Sequence, residues 1–259
     1  MVTQTLLDRL VEIARAGGTA IMEYYDGHTA VELKADRTPV TAADRAAHRV
    51  IAEQLETLLT GLPVVSEEGW VPSPQEQTGL GRFWLVDPLD GTKEFIARND
   101  EFTVNIALIS NCEPIAGVIY APALDQLYYA GTGTGAWKVE AGGLVERLCS
   151  SPPEREQPLV VVESRSHPSA ELETWLRGKP VKQRISAGSS LKFCRVAEGA
   201  ADVYPRLGPT MEWDVAAGDC IFRCSGADRP RRSPLRYNKP EFRNGPFVIG
   251  LEEEPVHVP

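Results

Sequence analysis

Apolar residues recur along this chain at two periods, and the places where the period changes outline its elements. Leu6, Leu10, Ile13, Ala14, Gly17 and Ile21 return at helical spacing, and Val50, Leu55, Leu58 and Leu59 support a second helix beginning near Thr41. The unbroken run Phe83-Trp84-Leu85-Val86 reads as a buried strand, followed by a short helix over Lys93-Glu94-Phe95-Ile96. Residues 103–109 and 114–120 are strand-like, with Asn111-Cys112-Glu113 as the hairpin turn between them. Further on, strands over 159–162, 181–185 and 202–204 alternate with helices near 170–176 and 190–197. Ser150-Ser151-Pro152-Pro153-Glu154 marks a boundary between an N-terminal α+β lobe, 1–151, and a C-terminal α/β lobe, 152–259. Gly131-Thr132-Gly133-Thr134-Gly135 has the look of a dinucleotide loop, but no helix follows it, so it reads as a hairpin turn.

Composition narrows the class. A chain of 259 residues can bury a substantial core as one large domain or two lobes, and 42% hydrophobic with 24% charged content is ordinary for a soluble protein. No window approaches a membrane span, and Asp8, Arg9 and Glu12 make the first helix unlike a signal peptide, so a cytoplasmic protein is expected. Five cysteines without framework spacing fit a reducing compartment. Cys220 and Cys224 read as small core residues, because two ligands do not make a zinc site. A net charge of −9 without a basic stripe argues against long nucleic acid as a partner. Arg229-Pro230-Arg231-Arg232 reads as a solvated basic loop.

The candidate chemistry lies in Asp87-Pro88-Leu89-Asp90-Gly91-Thr92. Two carboxylates at a strand end, with a turn between them, can reach one point in space. With the Leu89 carbonyl they form an all-oxygen arrangement suited to Mg²⁺, and the N–H groups opening at Gly91 and Thr92 can hold an anion. The same hexamer is also good β-turn chemistry. Val64-Val65-Ser66-Glu67-Glu68-Gly69 and Trp213-Asp214-Val215-Ala216-Ala217-Gly218 supply further acids, which alone would read as a solvated strand end and an N-cap. Glu67, Asp87, Asp90 and Asp214 each stand at the end or beginning of an element, where a rigid scaffold holds ligands best. Four clustered carboxylates would repel a phosphate unless cations intervene, so a phosphate reading requires metal.

In that order, Ser66-Glu67-Glu68, the run from Asp87 to Ile96 and the run from Trp213 to Gly218 resemble the inositol monophosphatase superfamily of Mg²⁺-dependent, Li⁺-sensitive phosphatases. Lys93-Glu94-Phe95 is similar to its branch acting on 3′(2′),5′-bisphosphate nucleotides, where the inositol branch usually has Thr-Asn-Phe. Ser164 to His167, Gly188 to Cys194 and Tyr204 to Thr210 are similar to the bacterial enzymes of that branch. The resemblance runs from the first helix to Gly226, while Asp228 to Ser233 and the tail from Glu252 to Pro255 depart from the family's closing segment.

The resemblance implies an α+β fold, the αβαβα layered sandwich of the inositol monophosphatase and fructose bisphosphatase type, with the metal site between its halves. It implies two or three Mg²⁺ ions: one on Glu67, Asp87 and the Leu89 carbonyl, a second on Asp87, Asp90 and Asp214, and a weaker third near Glu67. Activated water would then attack in line without a covalent intermediate. Pro39 to Asp44 resembles the segment whose acid works with the threonine of Gly-Thr, so Asp44, Glu67 and Thr92 are the implied catalytic group. On the residues alone, Asp44 reads first as a first-turn acid facing the helix dipole. Glu68 would orient Glu67 or a metal-bound water. Implied substrate contacts are Glu67, Leu89, Asp90, Gly91, Thr92 and Asp214 at the reacting phosphate. Ser189, Lys192 and Arg206 would hold the second phosphate, and His167 would lie near base or ribose. Read alone, Ser189 caps a helix, Lys192 and Arg206 are solvated, and a lone histidine is structural. The implied reaction converts adenosine 3′,5′-bisphosphate to AMP and phosphate, with the sulfated precursor as a further substrate and peripheral attachment to the inner membrane as a family trait. Inositol or broader sugar phosphatase activity and a non-hydrolytic nucleotide or cation sensor are the alternatives, and oligomeric state is not legible.

Overall fold

Helix α1 (Gln4–Tyr25) buries one stripe, Leu7, Leu10, Ile13, Ala14, Gly17, Gly18 and Ile21, as its periodicity predicts. The computed structural model describes residues 2–25, 31–33, 39–154, 156–166, 170–227 and 230–251. Strands β1 (Val31–Leu33) and β2 (Pro39–Thr41) pair antiparallel and lead into α2 (Ala42–Leu58), which packs along α1. Next come β3 (Val64–Ser66), a one-turn α3 (Pro74–Gln77), β4 (Arg82–Asp90) and α4 (Thr92–Ala97). A meander follows: β5 (Thr103–Ser110), β6 (Glu113–Ala121), β7 (Gln126–Gly131), β8 (Gly135–Val139) and β9 (Val145–Arg147). Strands β3 to β9 form one seven-stranded sheet in chain order, parallel at β3–β4 and antiparallel elsewhere. Asn111 and Cys112 turn the β5–β6 hairpin with φ of 51° and 62°, the positive pair that a two-residue turn of matching twist requires. The glycine-rich stretch from Gly131 to Gly135 is a hairpin turn, as expected.

Both faces of this sheet are covered, which is why its central strands read as continuous apolar runs. Trp84 and Val86 of β4 pack into the core beneath α1 and α2, while Phe83 and Leu85 face the opposite core. The second part of the chain builds that opposite core and a further layer. Strands β10 (Leu159–Ser164) and β11 (Val181–Ala187) pair in parallel, with α5 (Ala170–Leu176) between them. Helix α6 (Leu191–Ala197) and β12 (Tyr204–Arg206) lead through β13 (Thr210–Met211) to α7 (Glu212–Cys224). Strands β14 (Arg243–Asn244) and β15 (Phe247–Ile249) close the chain against β13 and β12 respectively. A bridge from Val161 to Val203 joins β10 to the approach of β12, and Trp175 and Leu176 of α5 cover the outer side. The order α1/α2, large sheet, α6/α7, small sheet, α5 is the expected αβαβα sandwich. The Ser150–Glu154 segment lies between β9 and β10, and one hydrophobic cluster contains residues from both sides of it.

Glycines set how closely α7 approaches the large sheet, at Gly117, and α6, at Gly218. A Cβ at Gly117 of β6 would stand 2.9 Å from both Ala217 O and Cys220 Cβ, and one at Gly218 would stand 2.6 Å from Phe193 Cβ. Gly218→Ala should therefore lower stability by about 1–3 kcal/mol, the usual cost of overpacking, despite the gain of up to about 1 kcal/mol that alanine brings to a helix. A urea midpoint equal to or above wild type would refute this.

Three local readings are corrected. Strand β4 does not stop before the two acids but runs through Asp90, with Pro88 and Leu89 accommodated as an irregularity in its pairing to β5. The strand expected over 202–204 is centred two residues later. Arg231 is not solvated: it is 4% exposed, stacks over the Phe222 ring at 4.8 Å and donates to Ser150 Oγ and Gly250 O. Pro230 and Arg232 on either side of it are exposed, so only Arg231 departs from the solvated reading, held by its contacts to Phe222 and Ser150. Cys220 is fully buried and Cys224 packs against the same core, as read. No helix among the described residues is long and apolar enough to cross a membrane. His28, His167, His257, Asp228, Arg229 and the tail from Glu252 lie outside the described residues.

Candidate active site

Strand pairing brings the acids together. The parallel register aligns Ser66 with Val86, and Glu67 N donates to Val86 O at 3.2 Å, so Glu67 leaves β3 at the level where Asp87 stands in β4. Asp87 is 2% exposed, and its Oδ1 accepts from Leu89 N at 3.1 Å, folding the intervening turn back onto the carboxylate. Asp214 enters from the far side at the third position of α7, where its Oδ2 accepts from Met211 N at 2.8 Å. Asp214 is therefore not itself the N-cap, which is Met211; it supplies the return half of a capping box, its carboxylate reaching back to the N-cap backbone N–H. One carboxylate oxygen from each of Glu67, Asp87 and Asp214 lies within 4.8 Å of the others. Asp90 stands beside this trio, its Oδ2 accepting from Ser189 Oγ at 2.5 Å and Asn105 Nδ2 at 3.3 Å. Asp44, 3% exposed in the first turn of α2, receives a hydrogen bond from Thr92 Oγ1 at 3.4 Å. Gly91 precedes Thr92 with φ of 90°, and a Cβ there would crowd Glu94 Oε2 and Ser189 Cβ at 3.2 and 3.3 Å.

Electrostatics identify what this cluster suits. Burial pushes the Asp87 carboxyl well above the usual carboxylate range, and the neighbouring Glu67, Asp90, Asp214 and Asp44 push it further. Asp214 is likewise raised by burial, then by Asp90 and Glu67, against the opposing Met211 N–H. Asp90 is raised by burial, with Lys192 and the Ser189 and Asn105 hydrogen bonds resisting. Buried like charges with only oxygen donors are unfavourable by themselves and fit a hard divalent cation, which inverts the local field. Glu67, Asp87 and Asp214 could hold such an ion.

The cleft that Glu67, Asp90 and Asp214 line, about 220 Å³, is also lined by the cations Lys192 and Arg206. Lys192 is 6% exposed, so the solvated reading fails: α6 places its stem in the core. Its Nζ donates to Ser189 O and Ala187 O, and burial pushes its pKa down to about 8 against the pull of Asp90. Arg206 donates through Nη2 to Pro209 O at 3.0 Å, and its buried Nε has no hydrogen-bond partner. Ser189 does not cap α6; Ser190 holds that position, and Ser189 takes φ of 50° with its hydroxyl on Asp90.

Several residues here escaped sequence reasoning. Thr103, Asn105 and Ser190 are buried beneath Asp90. Ser166 Oγ donates to Glu94 Oε1. Glu101 binds Arg165 through both oxygens at 2.6 and 2.8 Å and accepts from Gly188 N at 2.7 Å. Thr103 and Asn105 left one signal, two polar side chains at alternate positions of an otherwise apolar strand. His48, without ligand pattern in the sequence, places Nδ1 2.9 Å from Ser66 Oγ behind Glu67.

Known proteins share this architecture. A Shigella flexneri protein named 3'(2'),5'-bisphosphate nucleotidase CysQ is 52% identical over 254 residues, covering 95% of this chain and 100% of that protein. The crystal structure of CysQ from Bacteroides thetaiotaomicron, described as a bacterial member of the inositol monophosphatase family, is 40% identical with a TM-score of 0.80, covering 97% of this chain and 98% of that one. A Thermotoga maritima IMPase is 27% identical with a TM-score of 0.70, over 85% and 83% of the two chains. The profile of the Inositol monophosphatase family matches residues 3–233, and the chain belongs to that family.

Proposed function

We propose that this chain is a Mg²⁺-dependent nucleotidase that removes the 3′-phosphate of adenosine 3′,5′-bisphosphate, giving AMP and phosphate, and that also accepts the sulfated precursor. The observation carrying this reading is one cleft lined both by acids, Glu67, Asp90 and Asp214, and by the cations Lys192 and Arg206. A substrate with a single phosphate needs only the acids and their cation. One with two phosphates uses Lys192 and Arg206 as well, and the Shigella flexneri relative is named for such a substrate. When bound, Mg²⁺ neutralises charge at the reacting phosphoryl group and lowers the pKa of water there.

The chain's own residues do the rest. Asp44 holds the Thr92 hydroxyl, which can take a proton at Oγ1 and pass it on. Gly91, by lacking a Cβ and taking positive φ, lets this turn pack against Glu94 and Ser189. Lys192 and Arg206 receive the second phosphate, while the one hydroxyl proton of Ser189 is engaged with Asp90. In this reading the lobe over 1–151 supplies the catalytic acids and Thr92, and the lobe over 152–259 supplies Asp214 and the substrate grip.

Phosphate release from adenosine 3′,5′-bisphosphate, inositol phosphate and fructose bisphosphate, each with and without Mg²⁺, tests the assignment. The nucleotide should be turned over most efficiently and only with the cation; preference for either sugar phosphate would replace this reading with a sugar phosphatase. Lys192→Ala should raise KM for the bisphosphate roughly 10- to 100-fold, the equivalent of a charged hydrogen bond, and much less for a monophosphate. Because the ammonium is lost as pH rises through about 8, kcat/KM for the bisphosphate should fall there, earlier still with cations bound nearby. Lys192→Arg, always charged, should remove that fall. Equal KM changes for both substrates would take Lys192 out of recognition.

A further inference from the structure

Beneath Asp90 lies a buried polar ring that the chemistry above does not use. Asn105 Oδ1 accepts from Ser190 Oγ at 2.7 Å and lies 3.2 Å from Thr103 Oγ1. Thr103 Oγ1 also lies 2.5 Å from Ser189 Oγ and 2.8 Å from Ser190 Oγ. Ser189 Oγ and Asn105 Nδ2 both reach the same oxygen of Asp90, Oδ2. Thr103, Asn105 and Ser190 are 0, 1 and 3% exposed, so water does not substitute for these partners.

The hydrogen-bond directions follow from what each group can do. An ionised carboxylate only accepts, so Ser189 and Asn105 must donate to it. The Asn105 amide is thereby fixed with nitrogen toward Asp90 and oxygen toward the two hydroxyls. Two donors on Oδ2 leave Oδ1 as the oxygen free to turn toward the cleft. Ser189 and Ser190 also form the turn that opens α6, three and two residues before Lys192, and Ser189 is held there at positive φ.

We infer that Asn105 is a positioning residue: it fixes the rotation of the Asp90 carboxylate so that Oδ1 faces the cation, and ties that setting through Ser190 to the turn carrying Lys192. The inference rests on the function proposed above. Loss of such an outer partner typically costs about 10- to 100-fold in metal affinity.

The test combines Asn105→Ala and Ser190→Ala with two measurements: the thermal midpoint as Mg²⁺ is added, and phosphate release from adenosine 3′,5′-bisphosphate against Mg²⁺ concentration. For Asn105→Ala, the Mg²⁺ concentration at half effect should rise about tenfold or more in both, with excess Mg²⁺ restoring most turnover. Ser190→Ala should move it in the same direction by less, and it decides the matter if the first variant does not fold. A merely structural role would lower the metal-free midpoint and leave the half-effect concentration unchanged, which overturns the inference while leaving the nucleotidase reading intact. A wild-type protein whose midpoint and turnover both ignore Mg²⁺ overturns both.

Discussion

Asp87→Asn should cost more than about a hundredfold in Mg²⁺-dependent phosphate release, beyond the range seen when only an outer partner is lost, while making the metal-free protein harder to unfold. The two effects share one cause. Asp87 is 2% exposed and faces Glu67, Asp90, Asp214 and Asp44, so its charge is costly when nothing compensates it. Its pKa is raised in the folded state, which therefore keeps a proton that the unfolded chain has already released. Metal-free stability should fall as pH rises from the ordinary carboxylate range, near 3.8, through the raised value of Asp87, with Asp214 adding to the same slope. Asparagine removes that slope's largest contributor and retains an oxygen for Leu89 N. Saturating Mg²⁺ should erase the pH dependence in wild type and add stability by mass action. Each kcal/mol corresponds to roughly 2–4 °C in a chain of this size, so thermal denaturation resolves it. Calorimetry showing a lower metal-free midpoint for Asp87→Asn would refute the picture of uncompensated buried charge.

Thr92→Ala should reduce kcat by about 10²–10⁴ at saturating Mg²⁺, with KM little changed, if Thr92 Oγ1 moves a proton in the rate-limiting step. Thr92→Ser should keep most activity, since it retains the hydroxyl. Asp44→Asn should lose nearly as much as Thr92→Ala, and the double variant little more than either, because the two groups act as one unit. The 3.4 Å separation is long for a working hydrogen bond and is expected to shorten when substrate and cation are present. Thr92→Ala turning over within a few-fold of wild type would assign Asp44 to the structural role its first-turn position also allows.

The sequence made the acids legible because each has local punctuation. Glu67, Asp87, Asp90 and Asp214 sit where an apolar run stops or starts, and their order along the chain matches the family pattern. The layers were legible too, since α1, α2 and α7 carry clear apolar stripes and β4 and β5 are apolar on both faces. Registers were not. Nothing local shows that Asp87 pairs with Asn105 or that Asp90 meets Thr103 across an irregular ladder, because pairing depends on two distant segments. The ring under Asp90 was invisible for the same reason: Thr103-Val104-Asn105 reads as an ordinary strand until Ser189 and Ser190 arrive from α6, more than eighty residues away. Lys192 misleads in the opposite way, since a lone lysine is nearly always solvated and only the fold shows its stem inside the core. Arg231 shows the same effect in a segment that departs from the family pattern.

The narrow seat of α7 also bears on the acids. A Cβ at Gly117 would meet Ala217 and Cys220 of α7, and one at Gly218 would meet Phe193 of α6. Asp214 stands four residues before Gly218 on that helix, and one of its oxygens lies within 4.8 Å of one from each of Glu67 and Asp87. Enlarging either glycine is therefore expected to displace the helix and, with it, one corner of the acid cluster.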